Sequence, residues 1–367
     1  MKASAPKVCV VAAGGTGGHM FPAEALAREL QARGWRIVLA TDHRGQAYAQ
    51  AFPAEERIAL DAATGRGLIG MTRAGVAIAR GVVKARAALN RLDAAVVVGF
   101  GGYPSAPALI AALSQRRPTL LHEQNAVLGR TNRWLAPSVG GIAASFPDLR
   151  KVPQAVGARV TLVGNPVRPD IRALYDRRWT APEPAGAIHV LVTGGSQGAR
   201  ILAETAPRAL AALPEALRGR LRVQQQSRTE TLEAAQQIYL EAGIAAEVAP
   251  FFRDMAGRLS AAHLVIGRAG ASTCSELAVA GVPSLLIPLK IAMDDHQRFN
   301  AASLASAGGA EVMLEDEVTV ERLTQALAAL LGDPARLEAM SRGARSAALP
   351  DATRALADMV EAGARPD

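Results

Sequence analysis

The 367-residue chain is poor in aromatic side chains, which make up 4% of it, and carries only two cysteines, Cys9 and Cys274. Few aromatics leave few platforms for stacked bases. No lysine- and arginine-rich block is interleaved with them, so nucleic acid is the weakest candidate partner. Two cysteines so far apart give neither a disulfide framework nor metal-ligand spacing. Asp-x-Asp does not occur, so no divalent metal and no other cofactor is expected; the adjacent Asp294 and Asp295 read as a solvated loop. Long apolar runs are missing as well, none approaching the roughly 18 residues that a membrane-spanning helix needs. The apolar start, Lys7 to Ala12, runs directly into glycines rather than a signal-cleavage site. A cytoplasmic protein is expected.

What the chain does have is apolar bulk, 50% of residues, and a formal net charge of +8. The length favours two domains. The charge implies an anionic partner, whether nucleic acid, phosphorylated metabolite or membrane surface. Strands are expected at Lys7–Ala12, Trp35–Thr41, Ala94–Gly99, Pro118–His122 and Val160–Val163. They are apolar throughout rather than alternating, as in a parallel sheet covered on both faces. After the first strand, Gly14-Gly15-Thr16-Gly17-Gly18-His19 opens a helix with Pro22 near its first turn, Leu26 and Leu30 on one face, and Gly34 as its stop.

The second half restarts on the same plan. A strand at Ile188–Thr193 enters Gly194-Gly195-Ser196-Gln197-Gly198 and then a helix, with further strands near Leu221–Gln225, Ala262–Ile266 and Ser284–Pro288. The stretch 165–186, with Pro166, Pro169, Pro182 and Pro184, reads as the connector. The fold class is therefore α/β, two Rossmann-like doubly wound domains facing a central cleft, with both glycine loops turned to it.

A glycine loop entering a helix offers bare N–H groups and a positive helix end to an anion. Neither loop has the G-x-G-x-x-G spacing of a dinucleotide site or the ending of a P-loop. Asp42, closing the second strand, could hold a ribose, but with that fingerprint broken nicotinamide binding is not expected. Either loop alone reads equally well as a tight turn; two of similar design favour phosphate. A third glycine-rich segment, Gly267 to Glu276, also links a strand to a helix, Leu277 to Ala280. There Thr273-x-x-Glu276 has capping-box spacing, and spacing alone favours that reading over Glu276 holding a ribose diol.

Taken in order, several segments carry a resemblance: Gly14–His19; Gly99-Phe100-Gly101-Gly102-Tyr103-Pro104-Ser105; His122-Glu123-Gln124-Asn125; Gly164-Asn165-Pro166-Val167-Arg168; Gly194–Ala199; Arg268–Glu276; and Asp295-His296-Gln297. The chain resembles the undecaprenyl-pyrophosphoryl-muramoyl-pentapeptide N-acetylglucosaminyltransferases along nearly its whole length. The resemblance implies a GT-B fold with a lipid-acceptor, membrane-associating domain over 1–167, a UDP-GlcNAc domain over 168–348, and a last helix near 349–367 crossing back. It implies donor contacts from Thr16, Gly17, Gly18 and Asn125, then from Arg168, Ser196, Ala271, Ser272, Thr273, Cys274, Ser275, Glu276 and Gln297. Phe252 stands where relatives contact uracil through the main chain, so a side-chain change there should matter little. Lys290 to Met293 departs from the family pattern.

The implied reaction is a single inverting displacement on UDP-GlcNAc by the C4 hydroxyl of a polyprenyl-pyrophosphate-linked muramoyl pentapeptide. It needs a base at the hydroxyl and stabilisation of the leaving pyrophosphate. His19 is the candidate base, with His122 and Glu123 as rivals. Other cell-wall and division proteins are implied partners, and the cytoplasmic face of the inner membrane is the implied location. Between Asp61 and Asp93 every charge is positive: Arg66, Arg73, Arg80, Lys84, Arg86 and Arg91. At about 100° per residue, Arg73, Arg80, Lys84 and Arg91 share one stripe opposite Met71, Ile78, Val82 and Leu89. An anionic membrane surface is the expected partner of that stripe, although Gly75 and Gly81 weaken the helix. The competing readings are another GT-B enzyme with a lipid acceptor, a UDP-GlcNAc 2-epimerase, or a noncatalytic UDP-sugar-binding protein.

Overall fold

The computed structural model describes residues 6–15, 17–42, 52–61, 67–195 and 198–365, with backbone alone over 67–71. The chain divides into two compact units, Met1–Arg168 with Pro350–Asp367, and Pro169–Leu349.

The first unit is built on a parallel sheet of β1 (Val8–Ala12), β2 (Arg36–Thr41), β3 (Glu56–Ala59), β4 (Val96–Gly99), β5 (Thr119–Glu123), β6 (Gly141–Ala144) and β7 (Val160–Leu162). Their order is β3-β2-β1-β4-β5-β6-β7. In β1, Val8, Val10 and Ala12 join one apolar cluster, while Cys9 and Val11 join the other, followed by Ala13 just past the strand. Strand residues alternate faces, so a strand buried on both sides is apolar at every position.

One face is covered by the helix Gly17–Ala32 through Met20, Ala23, Leu26, Ala27 and Leu30, the spacing of a 3.6-residue period. That helix starts early enough to put Pro22 in its second turn rather than its first. Gly34 takes φ +86° just past its end, a conformation glycine adopts at little cost. The opposite face is covered by the helices Gly67–Leu92 and Ala106–Ser114. Gly81, expected only to weaken its helix, is a close-packing site: an added Cβ would lie 2.6 Å from the Asp61 carbonyl and 3.0 Å from Pro107 Cβ.

The C-terminal helix Ala352–Gly363 belongs to this first unit. Its Leu356, Ala357 and Val360 enter the same cluster as Leu26 and Leu30. Arg33 Nη1 donates to Asp358 Oδ1 at 2.5 Å and Glu361 Oε2 at 2.8 Å, and Trp35 Nε1 donates to Glu361 Oε1 at 3.0 Å.

The second unit repeats the plan with β8 (Ile188–Thr193), β9 (Leu221–Gln226), β10 (Ala245–Ala249), β11 (Leu264–Gly267), β12 (Ser284–Leu286) and β13 (Ala310–Val312). These strands are also all parallel, in the order β10-β9-β8-β11-β12-β13. In both units the winding reverses beside the first strand, at β1/β4 and at β8/β11. Ligands of open α/β sheets lie beyond the carboxyl ends of strands at such a reversal.

Candidate active site

In the first unit the loops after β1, β4 and β5 converge. Gly14 admits no side chain, since a Cβ would lie 2.7 Å from Asp42 Oδ1 and 2.8 Å from Pro104 Cβ. Asp42 is fully buried against this turn, which removes it as a ribose ligand. Thr16 lies outside the described residues; Gly17 and Gly18 open the helix, with Gly18 exposed. His19, half-buried in the first turn, lies beside Gly101 and Gly102. A Cβ on Gly101 would lie 3.5 Å from His19 Cε1, and one on Gly102 would lie 3.6 Å from Nε2. Both glycines hold positive φ, 83° and 67°.

His19 Nδ1 lies 2.9 Å from Gln124 Oε1, and Gln124 Nε2 lies 2.9 Å from His122 Nδ1. His122 Nε2 is 3.0 Å from the Gly164 carbonyl oxygen. His122 is fully buried, and burial pushes its imidazole down to about 4, with His19 nearby acting in the same direction. It is neutral at working pH, and both ring nitrogens are engaged.

Glu123 faces the other side of the sheet. It accepts from Asn125 N at 3.1 Å, Asn125 Nδ2 at 3.3 Å, Gly129 N at 2.9 Å and Asn132 Nδ2 at 2.8 Å. Buried and saturated, this carboxylate holds the turn after β5 and with it the half-buried Asn125. Gln124 and Asn132, which complete these two networks, were not among the sequence candidates. Gln124 sits inside the His122–Asn125 segment, but only the fold shows what it joins.

In the second unit, a Cβ on Gly194 would lie 2.2 Å from Ala199 N, so the turn after β8 closes only with glycine there. Ser196 and Gln197 lie outside the described residues. After β11, the Arg268 guanidinium is buried. Its Nη1 donates to the Ile287 and Pro288 carbonyls at 3.1 and 3.2 Å and to Glu315 Oε2 at 2.8 Å. Burial would raise Glu315, but the Arg268 guanidinium and the Lys290 N–H hold it below the usual carboxylate range. Arg268 thus fastens the β11 and β12 loops together.

The next helix runs Ala271–Ala280 with Gly270 at its N-cap. Thr273 and Glu276 therefore sit inside the helix, and the capping box suggested by their spacing does not form. The amides of Ala271, Ser272 and Thr273 have no acceptor within the helix and lie at its positive end, the arrangement that receives an anion. Ser272 Oγ is enclosed without a hydrogen-bond partner. Thr273, Ser275 and Glu276 are half-buried. Cys274 turns inward: its N–H is bonded to the Gly270 carbonyl, and burial pushes its thiol up to about 12, so it packs the core.

Gln297 Oε1 accepts the Leu289 N–H at 3.0 Å, and Asn300 Nδ2 reaches the Ala269 carbonyl at 3.1 Å. The helix carrying both is thereby stitched to the β11 and β12 loops. Lys290, part of the unexplained departure, pairs with Asp316 at 2.8 Å. Arg168 ends the first unit, half-buried.

The Phe252 side chain is packed away from solvent. Only 4% of it is exposed, and the Arg258 guanidinium lies 3.6 Å above its ring. Arg258 in turn grips Glu247 through two bonds of 2.7 Å. The ring is part of the packing, so Phe252→Ala should cost about 3–5 kcal/mol of stability, read by denaturant unfolding of the second unit. A loss under about 1 kcal/mol would contradict that packing.

Each unit is a parallel sheet of the same winding order that places a glycine turn and a helix N-terminus beyond its central strands, the arrangement of a Rossmann-like phosphate-binding domain. Residues 9–143 match the glycosyltransferase family 28 N-terminal domain, and residues 189–356 match the family's C-terminal domain. The UDP-N-acetylglucosamine--N-acetylmuramyl-(pentapeptide) pyrophosphoryl-undecaprenol N-acetylglucosamine transferase of Caulobacter vibrioides is 63% identical over 98% of this chain and 99% of its own. Its Rhodospirillum centenum counterpart is 52% identical over 96% and 93%. The crystal structure of Acinetobacter baumannii MurG superposes with a TM-score of 0.81 at 32% identity, covering 97% of this chain and all of that one. A putative UDP-N-acetylglucosamine 2-epimerase from Listeria monocytogenes, at 16% identity and TM-score 0.67, shares the fold alone. The chain belongs to glycosyltransferase family 28.

Proposed function

We propose that this chain transfers N-acetylglucosamine from UDP-GlcNAc to the C4 hydroxyl of undecaprenyl-pyrophosphoryl-MurNAc-pentapeptide, lipid I, giving lipid II for peptidoglycan. Full-length similarity to transferases of that specificity carries the reading. His19 is the base. It takes the proton of the acceptor hydroxyl onto Nε2, beside which Gly101 and Gly102 place no side chain. His122 and Glu123 have no lone pair left for that task.

The donor is held by the second unit. The amides of Ala271–Thr273 and the turn containing Ser196 receive the pyrophosphate, with Arg168 assisting, and their fixed dipoles meet the charge that grows as UDP leaves. Glu276 takes the ribose diol, and Gln297 presents its NH2 group to the sugar, its carbonyl being occupied by Leu289. Thr16, Gly17, Gly18 and Asn125 complete the donor contacts, and Phe252 offers uracil its main chain. Calorimetric titration tests this half: UDP-GlcNAc should bind without added metal, and absence of binding would overturn the donor assignment.

The acceptor is lipid-borne, and the first unit docks reversibly on the anionic cytoplasmic face of the membrane, where other cell-wall and division proteins meet it. No described helix is long and apolar enough to cross a membrane. On the helix Gly67–Leu92, Arg73, Arg80 and Lys84 are exposed, beside Val76 at 52% and Val83 at 69% exposure. Arg91, in the expected stripe, is taken up by Glu56, and Arg86 donates to Ser114 Oγ at 2.9 Å. Three cations at about 1 kcal/mol each correspond to roughly a 100-fold gain in partitioning. Replacing Arg73, Arg80 and Lys84 by serine should remove that gain in vesicle sedimentation. Binding indifferent to anionic lipid content would contradict the docking.

A further inference from the structure

The three hydrogen bonds between His19 and Gly164 can carry their protons in only one arrangement. At the buried end, the Gly164 carbonyl can only accept, so His122 Nε2 is the protonated nitrogen. Ser145 agrees: its hydroxyl hydrogen goes to the Glu123 carbonyl at 2.8 Å, so its oxygen turns a lone pair to Nε2 at 3.4 Å. His122 Nδ1 is therefore an acceptor. The end of the Gln124 amide beside it lies 2.9 Å from Nδ1 and 3.1 Å from the His122 carbonyl. Facing two acceptors, that end must be the NH2 group, and the amide oxygen faces His19. An oxygen accepts, so His19 Nδ1 carries the hydrogen.

We infer that Gln124 and His122 are positioning residues that hold His19 as the Nδ1–H tautomer, leaving Nε2 bare to receive the acceptor's proton. The inference rests on the reading of His19 as the base. Free imidazole side chains favour the opposite tautomer, with hydrogen on Nε2, which could not act as a base at that atom. During transfer the hydroxyl proton moves to His19 Nε2 as the new C–O bond forms and the bond to UDP breaks. The imidazolium so formed donates a stronger, charge-assisted bond to Gln124. His122 gains no proton.

The sheet makes the relay possible. Residues two apart share a face of a strand, so His122 and Gln124 point to the side covered by the helix Gly17–Ala32, which carries His19. Phe100, in the same apolar cluster as that helix, lies 5.2 Å from the His122 ring. Glu123, between them, points to the opposite side.

Nitrogen-15 NMR of histidine-labelled full-length protein at mildly alkaline pH, without substrate, reads the tautomers directly. His19 should show a protonated Nδ1 and a bare Nε2, and His122 the reverse. Gln124→Met keeps the length and removes both bonds: His19 should revert towards Nε2–H. Its kcat should fall about 10- to 100-fold with KM for UDP-GlcNAc unchanged, as when a supporting partner of a working histidine is lost. Gln124→Glu accepts from His19 and stabilises its charged form. Its second oxygen loses the bonds to His122, but His19 should remain the Nδ1–H tautomer, with the acid limb of the kcat/KM profile moved upward. A wild-type His19 protonated at Nε2 would overturn the inference, as would a Gln124→Met enzyme of wild-type kcat. Because the spectrum is read without turnover, the expected tautomers together with a fully active His19→Ala would overturn the base assignment and leave the relay geometry standing.

Discussion

His19→Ala should lower kcat by about 100- to 10,000-fold while KM for UDP-GlcNAc stays within about twofold, the range a positioned general base supplies. The donor contacts proposed here lie in backbone turns and on the second unit, so removing an imidazole from the helix Gly17–Ala32 takes nothing from them. The loss should fall on the step in which the hydroxyl proton moves, and therefore on kcat rather than ground-state binding. The fold should survive, because His19 is only half-buried and its bond to Gln124 joins two side chains rather than the backbone. Steady-state kinetics decide the matter: a kcat within about threefold of wild type would remove His19 from the reaction.

Glu123→Ala should act through stability, lowering that of the first unit by about 4 kcal/mol or more. The wild-type carboxylate is buried and accepts from four donors on Asn125, Gly129 and Asn132. Each enclosed donor left without an acceptor costs about 1–3 kcal/mol, and bonds to a charged group lie at the upper end. Glu123→Gln should not rescue it, because an amide NH2 would face donors. For a unit of this size the loss corresponds to a Tm lower by roughly 10 °C in the transition that reports on it. A loss below about 1 kcal/mol for Glu123→Ala would show that the carboxylate is dispensable to the turn after β5.

The strands that carry the site were legible in the sequence because both of their faces are buried. Ile188–Thr193 is found at the expected bounds, and β1, β2, β4, β5, β9, β11 and β12 fall within a few residues of theirs; β7 does too, although it is an edge strand with Thr161 and Leu162 exposed. Among the described residues, four strands were not legible. β3, β10 and β13 lie at sheet edges, where one flank lacks a partner and polar residues such as Glu56, Glu247 and Glu311 are tolerated. β6 is interior, but its Gly-Ile-Ala-Ala sequence has little β propensity; close packing selects it, as a Cβ on Gly141 would lie 2.8 Å from Met359 Cε.

The candidate site was legible as a set of segments but not as a set of roles. Local spacing could not separate His19 from His122 and Glu123, because the difference between them is burial and saturation, which are tertiary properties. It could not show that Arg268 is consumed in fastening loops, that Phe252 is clamped by Arg258, or that Glu56 removes Arg91 from the basic stripe. In each case the deciding partner lies on a different element.

The most direct measurement is sugar transfer itself. Full-length protein incubated with radiolabelled UDP-GlcNAc and a short-chain polyprenyl-pyrophosphoryl-muramoyl pentapeptide, in the presence of a chelator, should place one β-linked GlcNAc on C4 of each acceptor and release one UDP per transfer. Label that stays on UDP, or passes to another lipid while the muramoyl acceptor is ignored, would contradict the account.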